Sequence, residues 1–272
     1  MNPTQRKQLA YLISLLQTHE PRYVSVDLPH EPVALWGLFR RLVNIRHPKP
    51  LPPGFVQTQD ELLSSLIEDR GITDYRTLKP LMSWRDRRIF LWRGDITLLK
   101  VDAIVNAGNR ELLGCFQPGH HCIDNAIHTY AGAQLRLACH ELMTEQGHPE
   151  PTGQAKVTPA FNLPSELVIH TVGPIVGDEY PSPHEERELQ SSYESCLQAA
   201  DRTGCHSISL CCVSTGVFGY PIKPATEVAL QAVKRFLPHA ERVRDVIFCV
   251  FSERDEAVYR EVIRTSQNPV AR

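Results

Sequence analysis

The sequence predicts an α/β fold in which helices cover both faces of a largely parallel sheet, behind a helical N-terminal part. Short apolar runs alternate with helically spaced segments from about residue 89 onward, and that alternation is typical of parallel sheets. Several runs, such as residues 207–213, are apolar almost throughout, as strands buried on both faces are. The preceding residues show helical spacing only, which predicts a separate helical extension.

Residues 1–80 form this predicted helical extension, and residues 81–272 form the main domain. Helices are predicted over residues 4–18, 32–43 and 58–69, with a proline-rich linker at 47–53. Thr58 followed by Glu61 has the spacing of a capping box, so the third helix is expected to begin there. The extension contains no recognisable chemical motif, and we expect it to pack on the main domain.

The main domain is predicted to alternate strands and helices to its end. Strands are predicted at residues 89–92, 101–105, 155–159, 167–172, 207–213 and 243–251, and helices at 123–145, 183–202, 223–237 and 255–264. Gly132 is expected to interrupt the first of these helices. Ligands of open α/β sheets bind outside the carboxyl ends of the strands. The loops at 94–97, 106–122 and 214–220 are therefore the candidate ligand-binding loops.

Composition excludes some classes of function. A formal net charge of −2 on 272 residues gives no basic field for nucleic acid, and no apolar run approaches the length of a membrane span. Of the eight cysteines, Cys211 and Cys212 lie inside an apolar run, as buried free thiols do. The first residues resemble an amphipathic helix without a cleavage site. These features predict a reducing, cytoplasmic location.

Residues 115–122 combine two cysteines and two histidines in one loop. Thiolate and imidazole are preferred Zn²⁺ ligands, and three protein ligands suffice when water or substrate takes the fourth place. Cys115, His120 and Cys122 have the order C-x4-H-x-C, with His121 as a competing ligand. The spacing matches no common zinc finger, so a metal-free loop is the alternative. If a metal binds, the spacing favours an open, catalytic site.

Four other side chains have both a structural and a functional interpretation. Asp95 either caps a turn or accepts a hydrogen bond from a nucleobase amino group. Asn106 and Asn109 either hold ribose hydroxyls or satisfy a turn. Asp124 is either a helix-start acid favoured by the dipole or a carboxylate beside the metal.

The loop after the apolar run 207–213 combines two hydroxyls and two glycines. Its amides can form an anion nest close to the positive end of the next helix. An ordinary glycine-containing loop is the alternative. The Gly-Lys-Ser/Thr ending of a P-loop is missing.

Six motifs taken together identify a family. The motifs GDIT, VNAGN, CIDNAIH, TGQAKVT, LVIHTVGP and STGVFGYP occur in this order, and the chain over residues 88–264 resembles the macrodomain family. Gly108 stands where many members have alanine. The segment GCFQPGHHC replaces the glycine-rich loop of many hydrolytic members, and it is similar to the zinc-dependent branch, whose members also carry a helical extension.

The resemblance implies a three-layer α/β/α sandwich with a mostly parallel mixed sheet that binds ADP-ribose. It implies zinc ligands at Cys115, His120 and Cys122. It implies contacts with adenine at Asp95 and Ile96 and with the distal ribose at Asn106 and Asn109. The diphosphate loop would be Ser214, Thr215, Gly216, Val217 and Phe218, and the reacting end would be lined by Cys122, Ile123, Asp124 and Asn125. Asp124 and Asn106 are the catalytic candidates.

The implied activity is zinc-dependent removal of mono-ADP-ribose from a protein side chain. Zinc would either polarise the substrate or activate water, and Asp124 could orient that water. The resemblance also implies a sirtuin-type ADP-ribosyltransferase as partner and a lipoyl-carrier protein, related to the glycine-cleavage H protein, as target. Two alternatives are a non-catalytic ADP-ribose reader with structural zinc and an enzyme that acts on free O-acetyl-ADP-ribose.

Overall fold

The computed structural model describes residues 1–18, 20, 23, 24 and 26–267. The helices are α1 (Pro3–Gln17), α2 (Pro32–Ile45), α3 (Phe55–Arg70), α4 (Ile123–Ala131), α5 (Ala133–Gln146), α6 (Pro183–Arg202), α7 (Ile222–Phe236) and α8 (Glu253–Gln267). The strands are β1 (Thr73–Asp74), β2 (Met82–Trp84), β3 (Arg87–Arg93), β4 (Leu99–Lys100), β5 (Ala103–Ala107), β6 (Ala155–Pro159), β7 (Leu167–Thr171), β8 (Ser207–Leu210) and β9 (Asp245–Val250).

Seven strands form one mixed sheet in the order β2-β3-β9-β8-β5-β7-β6. The five central strands run parallel to one another, and β2 and β6 pair antiparallel with them at the edges. Every residue of β8 and β9 is buried. This agrees with the mostly apolar sequence of β9, whereas β8 alternates serine with isoleucine and leucine. The predicted α/β sandwich with a mostly parallel mixed sheet is therefore confirmed. Edge strand β2 was not predicted, because three residues, of which Ser83 is exposed, give no periodic signal.

Helices flank this sheet. Helices α6, α7 and α8 pack against one another in series, with α6 on β6, β7 and β8 and with α8 on β3. Helix α4 packs on β5 and α5 on β6, and α4 also contacts α2 and α3. The N-terminal helices thus pack against the helix that begins just after the predicted metal-binding loop.

The N-terminal helices have an apolar cluster of their own, which includes Leu9, Leu12, Leu35, Phe39 and Phe55. Two predictions for this part were wrong. Helix α3 begins at Phe55 rather than Thr58, after Gly54 with a φ of 75° and without a capping side chain. Glycine can adopt this left-handed conformation, and buried Phe55 fixes the first turn, so no capping box is needed. Nor is the part wholly helical, because β1 pairs with β4.

Gly132 interrupts the helical segment as predicted, with a φ of 100° between α4 and α5. A Cβ at this position would lie 2.5 Å from Gln59 Nε2 of α3, so the close approach also requires glycine. Several predicted boundaries were displaced: β8 ends at Leu210, before Val213, and β5 begins at Ala103, after Val101. Within the described ranges, no helix is both long and apolar enough to span a membrane.

Candidate active site

The carboxyl ends of the central parallel strands meet at one edge of the sheet. Because β3, β5 and β8 run in one direction, the loops that follow them lie at that edge. These are the loops at 94–98, 108–122 and 211–221. The three candidate loops predicted from the sequence therefore share one face of the molecule.

Asn106 and Asp124 are paired beneath these loops. Asn106, the fourth residue of β5, donates a hydrogen bond from Nδ2 to Oδ1 of Asp124 at 2.8 Å. The two side chains are almost completely buried, and Asp124 lies in the first turn of α4. Burial raises the pKa of the Asp124 carboxyl to about 6, although the Asn106 hydrogen bond acts in the opposite direction. The carboxyl group is therefore poised to exchange a proton near neutral pH.

His170 fixes the orientation of the Asn106 amide. Its Nδ1 lies 3.1 Å from Asn106 Nδ2, and its Nε2 lies 2.9 Å from Thr158 Oγ1. Burial lowers the pKa of His170 to about 4, so the ring is neutral and Nδ1 accepts the second Asn106 N–H. The Asn106 Oδ1 atom is buried and has no hydrogen-bond partner in the described part of the chain. The ribose contact expected of this oxygen stays a prediction.

Sequence reasoning did not single out His170 or Thr158. A lone histidine in the apolar strand 167–171 was the available signal, because a buried imidazole requires hydrogen-bond partners. His170 also lies near His128 and Cys139, and their ligand atoms lie within 4.8 Å of one another. Both ring nitrogens of His170 are already used by Asn106 and Thr158, so His170 serves the hydrogen-bond network. Neither ring nitrogen of His128 has a hydrogen-bond partner among the described residues.

Cys115, His120 and Cys122 converge in the loop before α4. The Cys115 Sγ atom lies 3.5 Å from His120 Nδ1, and the three ligand atoms lie within 4.8 Å of one another. Two sulfur atoms and one imidazole nitrogen at this spacing fit a shared Zn²⁺ ion. Burial raises the pKa of the Cys122 thiol to about 12; a cation would stabilise the thiolate there. His121 is exposed and lies outside this group.

Asp95 adopts the capping role and also forms an ion pair. Its Oδ1 accepts hydrogen bonds from Thr97 N at 3.0 Å and Thr97 Oγ1 at 2.7 Å. Its Oδ2 pairs with Arg70 of α3, whose guanidinium lies 4.3 Å above the Tyr130 ring. The Asp95 side chain is still 26% exposed. Ile96 is buried, and its adenine contact stays a prediction.

Two of the predicted ligand residues are engaged within the protein. Asn109 forms a turn: its Oδ1 accepts from Glu111 N, and its Nδ2 donates to Gly114 O. Asn125 is fully buried, and its Oδ1 and Nδ2 pair with Arg40 and Asn44 of α2. Ile123 opens α4 beside them and is half-buried. The proposed contacts of these residues with ADP-ribose stay predictions.

The loop at 214–218 presents free backbone amides. Ser214 has a φ of 64°, and the turn is closed by Tyr220 N to Ser214 O at 3.0 Å. Within the described residues, the amides of Gly216, Val217 and Phe218 donate no hydrogen bond, and Thr215 bonds back to Cys212 O. Helix α7 begins at Ile222, slightly earlier than predicted. Free amides beside a helix N-terminus are suited to a phosphate group.

Comparison with known proteins decides the family. A family model described as Macro domain matches residues 105–229. The protein-ADP-ribose hydrolase of Treponema medium is 45% identical over 260 residues, which are 96% of this chain and 99% of the relative. The chain belongs to the macrodomain family. A protein-ADP-ribose hydrolase of Staphylococcus aureus strain MRSA252 is 40% identical over 94% of this chain and 95% of its own length.

A solved structure agrees with this assignment. The Trypanosoma brucei macrodomain in complex with ADP-ribose has a TM-score of 0.63 and 29% identity, over 86% of this macrodomain protein and 97% of that chain. The Treponema medium alignment spans 260 residues of this chain and so includes most of residues 1–80. The helical extension is therefore part of the similarity, while a domain boundary near residue 80 stays a prediction.

Proposed function

We propose that this macrodomain protein is a hydrolase that removes mono-ADP-ribose from a protein side chain. The observation that carries the proposal is the buried Asn106–Asp124 pair, with its free Asn106 oxygen, at the edge where the three ligand loops meet. The names of the Treponema medium and Staphylococcus aureus relatives support it over nearly the whole chain. The complex of the Trypanosoma brucei macrodomain supports ADP-ribose as the bound group.

The substrate is proposed to lie along this edge of the sheet. Its diphosphate would accept hydrogen bonds from the amides of residues 216–218, and its adenine amino group would donate to Asp95. The distal ribose would then reach Asn106 and Asp124. Diphosphate binding contributes position rather than chemistry, since it holds the anomeric carbon near the carboxylate.

The reaction breaks the bond between the anomeric carbon and the protein side chain. A water oxygen takes the place of the side chain on that carbon, and the released side chain takes up a proton, so that one water is added across the bond. Asp124 is proposed to orient this water and take its proton, a role suited to a buried carboxyl with a pKa of about 6. Asn106 holds Asp124 through Nδ2 and accepts a ribose hydroxyl through Oδ1. His170 keeps the Asn106 amide in this orientation through its Nδ1.

Zinc dependence is part of the proposal. Cys115, His120 and Cys122 would hold the ion, and the closeness of their ligand atoms supports that role. A bound zinc ion supplies Lewis-acid polarisation or a more acidic water molecule. The His120–Cys122 segment leads directly into α4, so the ion would lie near Asp124.

The decisive experiment measures ADP-ribose release from a mono-ADP-ribosylated protein, with ADP-ribose binding measured in parallel. Release by the wild type, and its loss in Asp124→Asn with binding kept, is the expected result. Binding without release would identify a reader. Turnover of O-acetyl-ADP-ribose alone would identify an enzyme of small-molecule metabolism.

We also propose a protein substrate, a partner enzyme and a cellular location. We propose a lipoyl-carrier protein modified by a sirtuin-type transferase as the substrate. Faster release from a modified lipoyl-carrier protein than from an unrelated modified protein would support this choice, and equal rates would contradict it. A reducing, cytoplasmic location is proposed because all eight cysteines are free thiols.

A further inference from the structure

Helix α2 of the N-terminal extension reaches into the loop that carries Cys115, His120 and Cys122. Asn44 in α2 is 1% exposed, and its Oδ1 accepts hydrogen bonds from Gly119 N at 3.0 Å and Asn125 Nδ2 at 2.7 Å. A single amide oxygen of the extension therefore connects the middle of the loop to the start of α4.

Arg40, one turn earlier in α2, completes this contact. Its Nη2 donates to Asn125 Oδ1 at 2.8 Å and lies 3.4 Å from the carbonyl oxygen of His120. Together, Arg40 and Asn44 bind both ends of the Asn125 amide. They also bind two backbone groups of the loop, the N–H of Gly119 and the carbonyl oxygen of His120. His120 is itself a candidate metal ligand.

A third side chain fixes the end of α2 against the same loop. Arg136 of α5 donates from Nη1 to the carbonyl oxygens of Val43, Asn44 and Arg46, and from Nε to Leu113 O at 2.6 Å. Its guanidinium also lies 4.4 Å above the Phe116 ring. The end of α2 is therefore held at a set distance from the loop, and Asn44 is not free to move away.

The loop depends on these outside partners because it has little structure of its own. Residues 113–122 contain no helix or strand, and Gly119 has a φ of 71°. Backbone groups in such a segment require partners elsewhere if the segment is to keep one conformation. Asn44 and Arg40 supply them at Gly119 and His120.

Docking of the extension alone does not require these contacts. Helix α3 docks through Gln59, which is fully buried and accepts a hydrogen bond from Ala133 N at 2.9 Å. It also docks through Asp60, which accepts from Gln134 and Asn162. These bonds join the extension to α5 and to residue 162 and do not touch the loop.

We propose that Asn44 and Arg40 are positioning residues through which the N-terminal extension holds the Cys115–His120–Cys122 loop in its metal-binding geometry. The inference rests on the zinc site of the proposed function. Outer partners of metal ligands typically change metal affinity by about 10–100-fold when they are mutated. The extension thus supports the loop of the predicted metal site.

The test compares zinc affinities of the folded full-length protein, measured by competition with a chromophoric chelator. Asn44→Ala is expected to weaken zinc binding by about 10–100-fold. Gln59→Ala is the matched control, because it also removes a buried amide that accepts a backbone N–H from the main domain. It is expected to lower thermal stability while zinc affinity stays within about twofold.

Two further variants separate positioning from folding. Asn44→Asp keeps the accepting oxygen and should recover most of the zinc affinity. Arg40 is half-buried, so Arg40→Met should disturb the fold less than Asn44→Ala does. It should also weaken zinc binding. ADP-ribose affinity, measured by calorimetry, should stay within a few-fold in Gln59→Ala, since none of the hydrogen-bond partners of Gln59 is a predicted ADP-ribose contact.

Equal zinc affinities of the wild type, Asn44→Ala and Arg40→Met would overturn the inference, as would an equal loss in Gln59→Ala. A wild type that binds no zinc would overturn it too. A wild type that binds zinc but releases no ADP-ribose would instead contradict the proposed function, and the zinc affinities of the variants would still decide the role of Asn44.

Discussion

Asn106 and Asp124 are joined by a buried 2.8 Å hydrogen bond that links the end of β5 to the first turn of α4. Because the second Asn106 N–H goes to His170, the amide can point its free oxygen in only one direction. The pair therefore positions a carboxylate and a hydrogen-bond acceptor at fixed separation. This geometry predicts that the two residues act as one unit.

The first prediction is that Asn106→Ala and Asp124→Ala each reduce turnover strongly and that the double variant is little worse than Asp124→Ala alone. General acid–base catalysis contributes about 10²–10⁴-fold, and residues that act together show non-additive losses. Single-turnover release of ADP-ribose measures all three variants. Losses that multiply in the double variant would show that the residues act independently.

The second prediction concerns the stability of the fold between pH 6.5 and pH 4. Burial lowers the pKa of His170 to about 4 and that of His128 well below its usual range. As the pH falls, the unfolded chain binds these protons first, so both histidines reduce the free energy of unfolding across this window. Asp124 acts in the opposite direction, because its folded pKa is raised to about 6.

Comparing variants that all keep Asp124 isolates the histidine contribution. His170→Gln should make the free energy of unfolding less dependent on pH between 6.5 and 4, as measured by urea unfolding at several pH values. His140→Gln, at an exposed site on α5, is the control and should keep the wild-type slope. Identical slopes for wild type and His170→Gln would refute the prediction.

The third prediction separates two adjacent histidines. His120 Nδ1 lies 3.5 Å from Cys115 Sγ, whereas His121 is exposed and outside the ligand group. His120→Ala and Cys122→Ala should therefore lose bound zinc, and His121→Ala should keep one equivalent. Metal analysis of purified protein gives the stoichiometry. Loss of zinc in His121→Ala, or full turnover by metal-free Cys122→Ala, would contradict the assignment.

The fourth prediction concerns the adenine end of the site. Asp95→Ala should weaken ADP-ribose binding by roughly 1.5–3 kcal/mol, the range for a hydrogen bond to a charged group. Asp74→Ala is a matched control. Like Asp95, Asp74 accepts a hydrogen bond from the backbone N–H two residues further on and forms an ion pair with an arginine, Arg76. It lies in the separate β1–β4 strand pair. Calorimetry that finds equal affinities for both variants would remove Asp95 from the binding site.

Much of the fold could be predicted because its signals are local. Helix α6 was predicted with the bounds that the structure shows, from the helical spacing of its apolar residues, and the structure adds a capping box of Ser182 and Glu185 at its start. The start of α3 was missed, because Gly54 begins that helix through its backbone conformation and not through a side chain. The apolar strands of the parallel sheet were found from their continuous hydrophobicity, whereas the short edge strand β2 carried no such signal.

The metal-binding loop was predictable because its residues lie close together in sequence. Cys115, His120 and Cys122 fall within eight positions, and the structure brings them together. Asn44 and Asn125 meet across 81 positions, and no local pattern in α2 indicates such a contact. For Asn109, the sequence allowed two interpretations, a ribose contact or a turn. The structure shows the turn.

The most direct test of the account is ADP-ribose release from a mono-ADP-ribosylated protein before metal removal, after removal by a chelator, and after zinc is restored. A catalytic zinc site should give release by the native protein, loss of release after stripping and its return with zinc, while ADP-ribose binding persists throughout. Full release by the stripped protein would contradict a catalytic zinc site in the Cys115–His120–Cys122 loop. Absence of release in every state, with ADP-ribose still bound, would contradict the hydrolase itself.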